Sequence, residues 1–253
     1  LQAFEGLDII VHAAALKQVP AAEYNPQEYI KTNIIGSQNI IEAAIEKNIK
    51  KVLSLSTDKA VAPINLYGAT KLCSDKLFMA ANNIKGNRKL TFSILRYGNV
   101  MLSRGSVLSI YKENKNNTFP VTDKRMTRFS LTLDESIKAA IDVLKIAKGG
   151  EIFIPKINSY RILDVVRAIS PKAKIKVIGI RPGEKLHEEL ISSGETGEIY
   201  DSKKFYIICP QKDKNYERKY KKYKKENYIS NKNKFYSIKQ LKKIIESEYK
   251  KIL

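Results

Sequence analysis

The sequence predicts an α/β fold built on a parallel sheet, and three observations carry that prediction. The runs "LDIIVHAAA", "KVLSLS" and "LTFSILR" are continuously apolar rather than alternating, as strands buried on both faces are. Helical patterns separate them, giving the strand–helix–strand order of a parallel sheet. Each run also ends in small or polar residues, "HAAALK", "STDK" and "RYGNV", at the carboxyl edge where such sheets bind ligands.

Taken in order, "LDIIVHAAA" is a buried strand with its exit loop. Asn25 and Pro26 then open a long helical pattern through Tyr29, Ile30, Ile34, Ile40, Ile41, Ala44 and Ile45. "KVLSLS" is the next strand. A loop with Pro63 follows, then a helix from about 66 to 83, then the strand "LTFSILR" with Gly98 behind it. Beyond Val100 the order changes. "GSVLSIYKENK", "LDESIKAAIDVLKIA", "ILDVVRAIS" and "EKLHEELIS" have helical spacing, "EIFIPK" is a short strand, and "KIKVIGIRPGE" is a strand running into a turn. This predicts a smaller α+β lobe over the ligand edge of the sheet. Residues 211–234 are lysine, tyrosine and asparagine without a period, which predicts a loose segment. An amphipathic helix follows from 237 to 252, with Ile238, Leu241, Ile244 and Ile245 on one face. The expected domains are 1–104 for the sheet, 105–210 for the lobe, partly interleaved with it, and 211–253 for the tail.

With 253 residues, 43% of them hydrophobic, the chain can bury one sizeable core with a smaller one attached. No apolar run reaches the roughly 20 residues of a membrane helix, and no secretory signal is present, so a cytoplasmic enzyme with no membrane partner is expected. Cys73 and Cys209 form no disulfide framework, His12 and His187 are the only histidines, and no metal site is expected. The first residue is Leu1 and the chain enters mid-pattern, which suggests a piece of a longer protein. The net charge of +20 raises nucleic acid as a partner. Residues 202–253 hold 17 basic against 5 acidic side chains, with Tyr216, Tyr220, Tyr223 and Tyr228 among the lysines as in single-strand binders. No nucleic-acid module is recognisable, and a solvated lysine surface is the favoured reading.

The stretch "STDKAVAPINLYGATK" concentrates reactive groups just after a buried strand. Tyr67 and Lys71 lie four apart on a predicted helix and share a face. An ammonium beside a phenol is expected to lower its pKa from about 10, making a base for a sugar or alcohol hydroxyl. The spacing alone is cheap: it recurs at Tyr111/Lys115, Tyr200/Lys204, Tyr220/Lys224 and Tyr228/Lys232. Only Tyr67 opens a helix directly behind a strand with a hydroxyl-bearing exit. Thr57 is placed to hydrogen-bond the reacting oxygen, and Gly68 and Ala69 leave room for close approach.

The segments "HAAALKQVPAAEYNPQEYIKTNIIGSQNIIEAA", "LSTDKAVAPINLYGATKLCSDKLF" and "RYGNVMLSRGSV" resemble the extended short-chain dehydrogenase/reductases. Within that superfamily they resemble the inverting UDP-N-acetylglucosamine 4,6-dehydratases of pseudaminic acid biosynthesis. The resemblance runs from Leu7 to about Pro210 and implies a Rossmann-like sheet. The glycine-rich turn that binds the dinucleotide in such proteins, and the segment that chooses NADP over NAD, have no counterpart in this sequence. It implies oxidation of the sugar at C4 by NADP (NAD being the weaker candidate), loss of water across C5 and C6, and hydride return to C6 with inversion at C5. Asp58 is then the acid for the departing hydroxyl and Lys59 the C5 base, which requires a lysine whose pKa is depressed. Without the resemblance, Asp58 and Lys59 would pass for a loop pair.

Carried over position by position, Ala14, Tyr67, Lys71 and Val100, Met101, Leu102, Ser103 and Arg104 are expected beside the cofactor. Lys17, Asn99, Thr122, Arg181 and Glu184 are expected on the UDP-sugar. Arg125 and Arg128 are further phosphate candidates. His187 is expected on a helix face in a structural role, and Cys73 as a packed thiol. Within similar "STDKAV" motifs, membrane-anchored and some epimerising relatives have methionine at the position of Tyr67, so tyrosine resembles the soluble inverting group, and the resemblance implies a homo-oligomer. The rival within the superfamily is a sugar-nucleotide 4-epimerase or reductase, which has no use for Asp58 and Lys59 as an acid–base pair.

Overall fold

The computed structural model describes residues 1–103, 106, 108, 111, 117–224 and 227–251. Strands β1 (Ile9–His12), β2 (Lys51–Thr57), β3 (Thr91–Tyr97) and β7 (Ile152–Pro155) lie side by side and parallel. Antiparallel β12 (Phe205–Cys209), β11 (Glu198–Asp201) and β13 (Lys221–Lys222) extend the sheet to seven strands in the order β1-β2-β3-β7-β12-β11-β13. Helices cover both faces of β2 and β3, which explains their unbroken apolar runs, whereas β1 is not buried on both faces as expected, since Ile9 and Val11 are exposed. On one face, Ile41 and Ala44 of α3 (Gly36–Glu46) and Phe78 and Ala81 of α4 (Leu66–Ile84) pack on Val52, Phe92 and Ile94. On the other, Ala139 and Val143 of α5 (Leu133–Ile146) pack with Leu53, Leu95 and Phe153. The α5 N-terminus is fixed by a capping box between Thr132 and Glu135.

The path from β1 to α3 is tighter than the sequence suggests. A short α1 (Val19–Tyr24), not anticipated, precedes α2 (Pro26–Tyr29), a π-helical turn (Ile30–Ile35) and α3. The π turn aims buried Asn33 inward. Its side chain accepts from Leu16 N–H and donates to the Leu16 carbonyl and to Thr70 Oγ1, pinning the β1 exit to α4.

The second lobe holds a parallel pair, β5 (Thr118–Val121) with β9 (Lys174–Val177), and a three-stranded set, β4 (Asn99–Val100), β6 (Thr127–Leu131) and β8 (Ser159–Arg161). Its core joins Phe119, Val121, Val165 and Val166 to Leu241 and Ile245. Val165 and Val166 stand on α6 (Ile162–Ile169), and Leu241 and Ile245 on the terminal helix α8 (Ile238–Lys250). The amphipathic helix expected at the end of the chain is there, started by a Ser237–Gln240 capping box.

Three expectations are corrected. The described residues of 211–234 are not loose: they form α7 (Lys214–Lys219), β13, β14 (Tyr228–Ile229) and a 3-10 turn (Ser230–Lys232), anchored by buried Tyr216, Tyr228 and Ser230. "EKLHEELIS" is not a helix. Its end is β10 (Glu189–Ile191), antiparallel to β14, and burial of Leu190 and Ile191 against the core overrides the helical spacing. Cys73 is exposed rather than packed. The helix expected over "GSVLSIYKENK" falls mostly outside the described residues. Among the described residues no helix is long and apolar enough to cross a membrane, and no cluster of three metal-ligating side chains occurs.

Candidate active site

A cleft of about 630 Å³ lies between the carboxyl edge of the sheet and the second lobe. Thr57, Lys59, Tyr67, Lys71 and Asn99 line it from the sheet side, and Thr122, Arg128, Arg181, Glu184 and Glu188 from the lobe side.

The reactive groups stand on rigid backbone. β2 ends at Thr57, whose hydroxyl accepts from Lys59 N–H and starts a 3-10 turn over Asp58–Ala60. α4 begins at Leu66, capped by Asn65, whose Oδ1 accepts from Gly68 N–H (2.8 Å) and whose amide donates to the Gly183 carbonyl (2.8 Å). One residue therefore fixes the start of the Tyr67 helix and the "RPGE" turn together. Gly68 is obligatory: a Cβ there would lie 2.2 Å from the Lys59 carbonyl oxygen. The contact lets α4 seat directly on the Asp58–Lys59 turn. Gly98 plays a similar part behind β3, where a Cβ would meet Phe129 Cβ at 2.4 Å.

Asp58 is fully buried. Its Oδ1 accepts from Thr57 Oγ1 and from Lys59 Nζ, both at 3.0 Å, and its Oδ2 has no partner among the described residues. Burial pushes the carboxyl above its usual range, opposed by the Lys59 ammonium. Lys59 Nζ also lies 3.5 Å from Glu188 Oε1. Burial pulls the Lys59 amine down, but the carboxylates of Asp58 and Glu188 outweigh it and hold the amine above its ordinary value. The depressed lysine expected from the resemblance is not what the site builds.

Tyr67 also departs from expectation. Burial pushes its phenol up to about 12, although the Lys59 ammonium and a hydrogen bond with Thr57 act to lower it. The cation that favours the phenolate is Lys59, not Lys71. Lys71 Nζ donates to the Leu55 carbonyl (2.9 Å), and burial lowers its pKa against the pull of Asp75. Behind the site, Asp75 accepts from Ser56 Oγ (2.7 Å) and faces Arg96 (3.6 Å), which also pairs with Glu195 (2.7 Å). His12 is buried and pushed down to about 4 by burial and then by Lys71, so it is neutral.

The polysaccharide biosynthesis protein family matches residues 1–210. The chain belongs to that family. Among similar members is the UDP-N-acetylglucosamine 4,6-dehydratase (inverting) of Campylobacter jejuni, 52% identical over 211 residues, covering 82% of this chain. The chain spans 63% of that relative's length. The UDP-glucose 4-epimerase of Rickettsia bellii is 37% identical over 96% of this chain and 75% of its own. The X-ray structure of Pen from Bacillus thuringiensis superposes with a TM-score of 0.87 at 37% identity, over 97% of this chain and 77% of that one. The sheet is Rossmann-like, as in the dehydratases and epimerases that share this fold.

In this family member, Thr57, Asp58, Lys59, Tyr67 and Lys71 gather within one wall. Lys17, Asn99, Val100, Met101, Ser103 and Thr122 line the same cleft; Ala13 and Ala15 line it where Ala14 was expected. Leu102 packs into the lobe core with a left-handed φ of 56°, and Arg104 lies outside the described residues. Arg181 and Glu184 form the local pair (3.2 Å) and still border the cleft. Arg128 is buried and bridges Glu184 (3.1 Å) and Glu188 (3.7 Å), whereas Arg125 is exposed and paired to Asp123. His187 sits on a loop, its Nδ1 bonded to Thr127 Oγ1 (2.8 Å). The sequence reading missed Glu188 and Asn65. Asn65 carried a signal, an N-cap residue at the predicted helix start; Glu188 was hidden inside a false helical period.

Proposed function

We propose that this chain carries the catalytic site of a UDP-N-acetylglucosamine 4,6-dehydratase that inverts C5. The observation that carries the proposal is the fully buried Asp58 paired with half-buried Lys59 beside Tyr67. An enzyme that only oxidises and reduces C4 needs Tyr67 and Lys71 but not an adjoining acid and amine.

In this reading Tyr67, with Thr57 as hydrogen-bond partner, removes the C4 hydroxyl proton. The keto group so formed acidifies the C5 hydrogen. One proton passing from Lys59 to Asp58 across 3.0 Å converts the resting ion pair into a neutral amine and a carboxylic acid. Those are the base for C5 and the acid for the C6 hydroxyl, made together. Burial favours the neutral pair, raising Asp58 and pulling the Lys59 amine down, while the carboxylates of Asp58 and Glu188 keep the amine protonated at rest. When Lys59 takes the C5 proton and Asp58 protonates the leaving oxygen, the ion pair is restored.

The residues present fit a nicotinamide dinucleotide. Lys71 borders the cleft and uses one of its three N–H donors on Leu55. Tyr67 and Lys71 would hold the dinucleotide, with Val100, Met101 and Ser103 along its nicotinamide end. The chemistry it supplies is reversible hydride transfer. NADP is the form implied by the resemblance, and a larger thermal shift of the intact protein with NAD would reverse that choice. Arg181, Glu184 and Thr122 are assigned to the UDP part and Asn99 and Lys17 to the sugar side.

The similarity to a UDP-glucose 4-epimerase over 96% of the chain gives the second reading. One experiment separates them: intact protein is incubated with UDP-N-acetylglucosamine in heavy water, followed by mass spectrometry and proton NMR. The dehydratase yields a product lacking one water, with deuterium at an inverted C5. A product of unchanged mass, epimeric at C4, rejects the proposal.

A further inference from the structure

Glu188 is a buried titratable group that the steps above leave unused. It is 3% exposed, and its carboxylate faces Lys59 Nζ at 3.5 Å and Arg128 Nε at 3.7 Å. Its Oε2 has no partner among the described residues. A carboxylate buried for structure alone looks different in this same chain. Glu151 accepts from Ser93 Oγ, Lys148 N–H, Gly149 N–H and Tyr216 OH, so both of its oxygens are occupied. Glu188 instead borders the cleft with one oxygen bare.

Its placement comes from the lysine-rich segment. Glu188 N–H donates to Ser230 Oγ (2.9 Å), and Ser230 N–H donates to the Glu188 carbonyl (2.8 Å). Ser230 is fully buried and shares a further hydrogen bond with Thr127 Oγ1 (2.7 Å). The β10–β14 pairing holds the next residues in line. The backbone of Glu188 is thereby clamped to a segment outside residues 1–210.

Among the described residues, five groups face the Lys59 amine: Asp58 on its own turn, Tyr67 on α4, Tyr160 on β8, and Glu188 and Arg128 from the lobe. The two carboxylates are driven apart. Burial dominates at Asp58 and raises it. At Glu188 burial also raises, but Lys59, Arg128 and Lys185 outweigh it and hold the group below its usual value. Two carboxyls with opposed environments take different roles.

Resting on the dehydratase reading, we infer that Glu188 is a positioning residue for the elimination step, a fixed anion that steers the Lys59 amine and compensates the ammonium formed there. In that step the C5–H bond breaks and a Lys59 N–H bond forms. The C5 electron pair becomes the C5–C6 double bond, and the C6–O bond breaks as oxygen takes the proton of Asp58. Lys59 gains the charge that Asp58 gives up, and Glu188 stays anionic throughout.

The test is single turnover of intact Glu188→Gln protein with UDP-N-acetylglucosamine, quenched and read by mass spectrometry, with unfolding temperatures checked alongside. The 4-keto sugar that still holds its C6 hydroxyl should accumulate, because water loss slows by at least about tenfold while C4 oxidation and KM change less than about threefold. The acid limb of the water-loss pH profile should move to lower pH, since the amine loses an anion. Glu188→Asp should recover part of the rate, and Ser230→Ala should reproduce a milder form of the defect. Water loss at the wild-type rate in Glu188→Gln overturns the inference. So does an equal fall in both steps that Glu188→Asp does not relieve. Absence of water loss in the unaltered protein overturns the dehydratase reading and this inference with it.

Discussion

Two segments bear on the Lys59 amine, and they serve it differently. Residues 51–84 supply Thr57, Asp58, Lys59, Tyr67 and Lys71 from a buried strand, a 3-10 turn and a long helix. The described residues of 211–251 place no side chain in that wall, but they hold Glu188 through Ser230 and the lobe core through Leu241 and Ile245. In the proposed reading the first segment carries chemistry and the second carries placement. The difference teaches that net charge is a poor guide to a segment's role. The lysines of the tail are mostly at the surface, while a few tyrosines, one serine and two aliphatics do the anchoring.

The largest effect should fall on the first segment. Tyr67→Phe in the intact protein removes the proton acceptor for C4 without emptying its space. Keto-sugar formation should drop by about 10²–10⁴-fold with little change in unfolding temperature. If turnover survives, chemistry does not reside where the comparison puts it.

The next effect belongs to the second segment and is one of stability. Leu241 is fully buried in the lobe core, so Leu241→Ala should destabilise by about 2–5 kcal/mol in denaturant titration. The ratio of keto sugar to dehydrated product should stay the same in protein that remains folded. A changed ratio with intact stability would mean that the tail acts on the reaction beyond holding Glu188.

These two regions were also legible to different degrees. The sheet strands, the α4 helix and the Tyr67 and Asp58–Lys59 constellation could be read because period and position agree there: a buried strand, a hydroxyl exit, a helix start. The 211–234 segment could not, because Tyr216, Tyr228 and Ser230 are buried at intervals that follow no helix or strand period. Their partners, Glu151, Phe129 and Glu188, are distant in sequence. The same long-range pairing turned "HEELI" from an apparent helix into β10. Charge states were the least legible. Spacing gave Lys71 as the cation for Tyr67, whereas packing sent Lys71 to Leu55 and brought Lys59 to the phenol.

That last point gives a smaller effect, visible in pH. In the proposed mechanism the phenolate of Tyr67 is the acting form, and burial holds the phenol at about 12. Below that value the phenolate fraction grows with pH, by about tenfold per unit. The initial rate of C4 oxidation should therefore climb from pH 7 to pH 9. A plateau reached near neutrality would restore the lowered phenol that the Tyr67–Lys71 spacing suggests. Lys59→Met removes the cation that favours the phenolate, so its profile should move to higher pH.

The smallest effect is expected where the charge is highest. Lys221 and Lys224 are exposed and sit beside Tyr220 and Glu217 on the outer face of the tail. Replacing both with glutamine leaves every buried anchor in place, so stability should change by no more than about 0.5 kcal/mol. Water loss from UDP-N-acetylglucosamine should be unaffected as well. Binding of a single-stranded oligonucleotide, measured across a salt series, should be weak in the unaltered protein and similar in the variant. Tight, salt-steep binding that the double substitution abolishes would assign the lysines a polyanion partner, and the tail would then hold a function of its own beside its grip on Glu188.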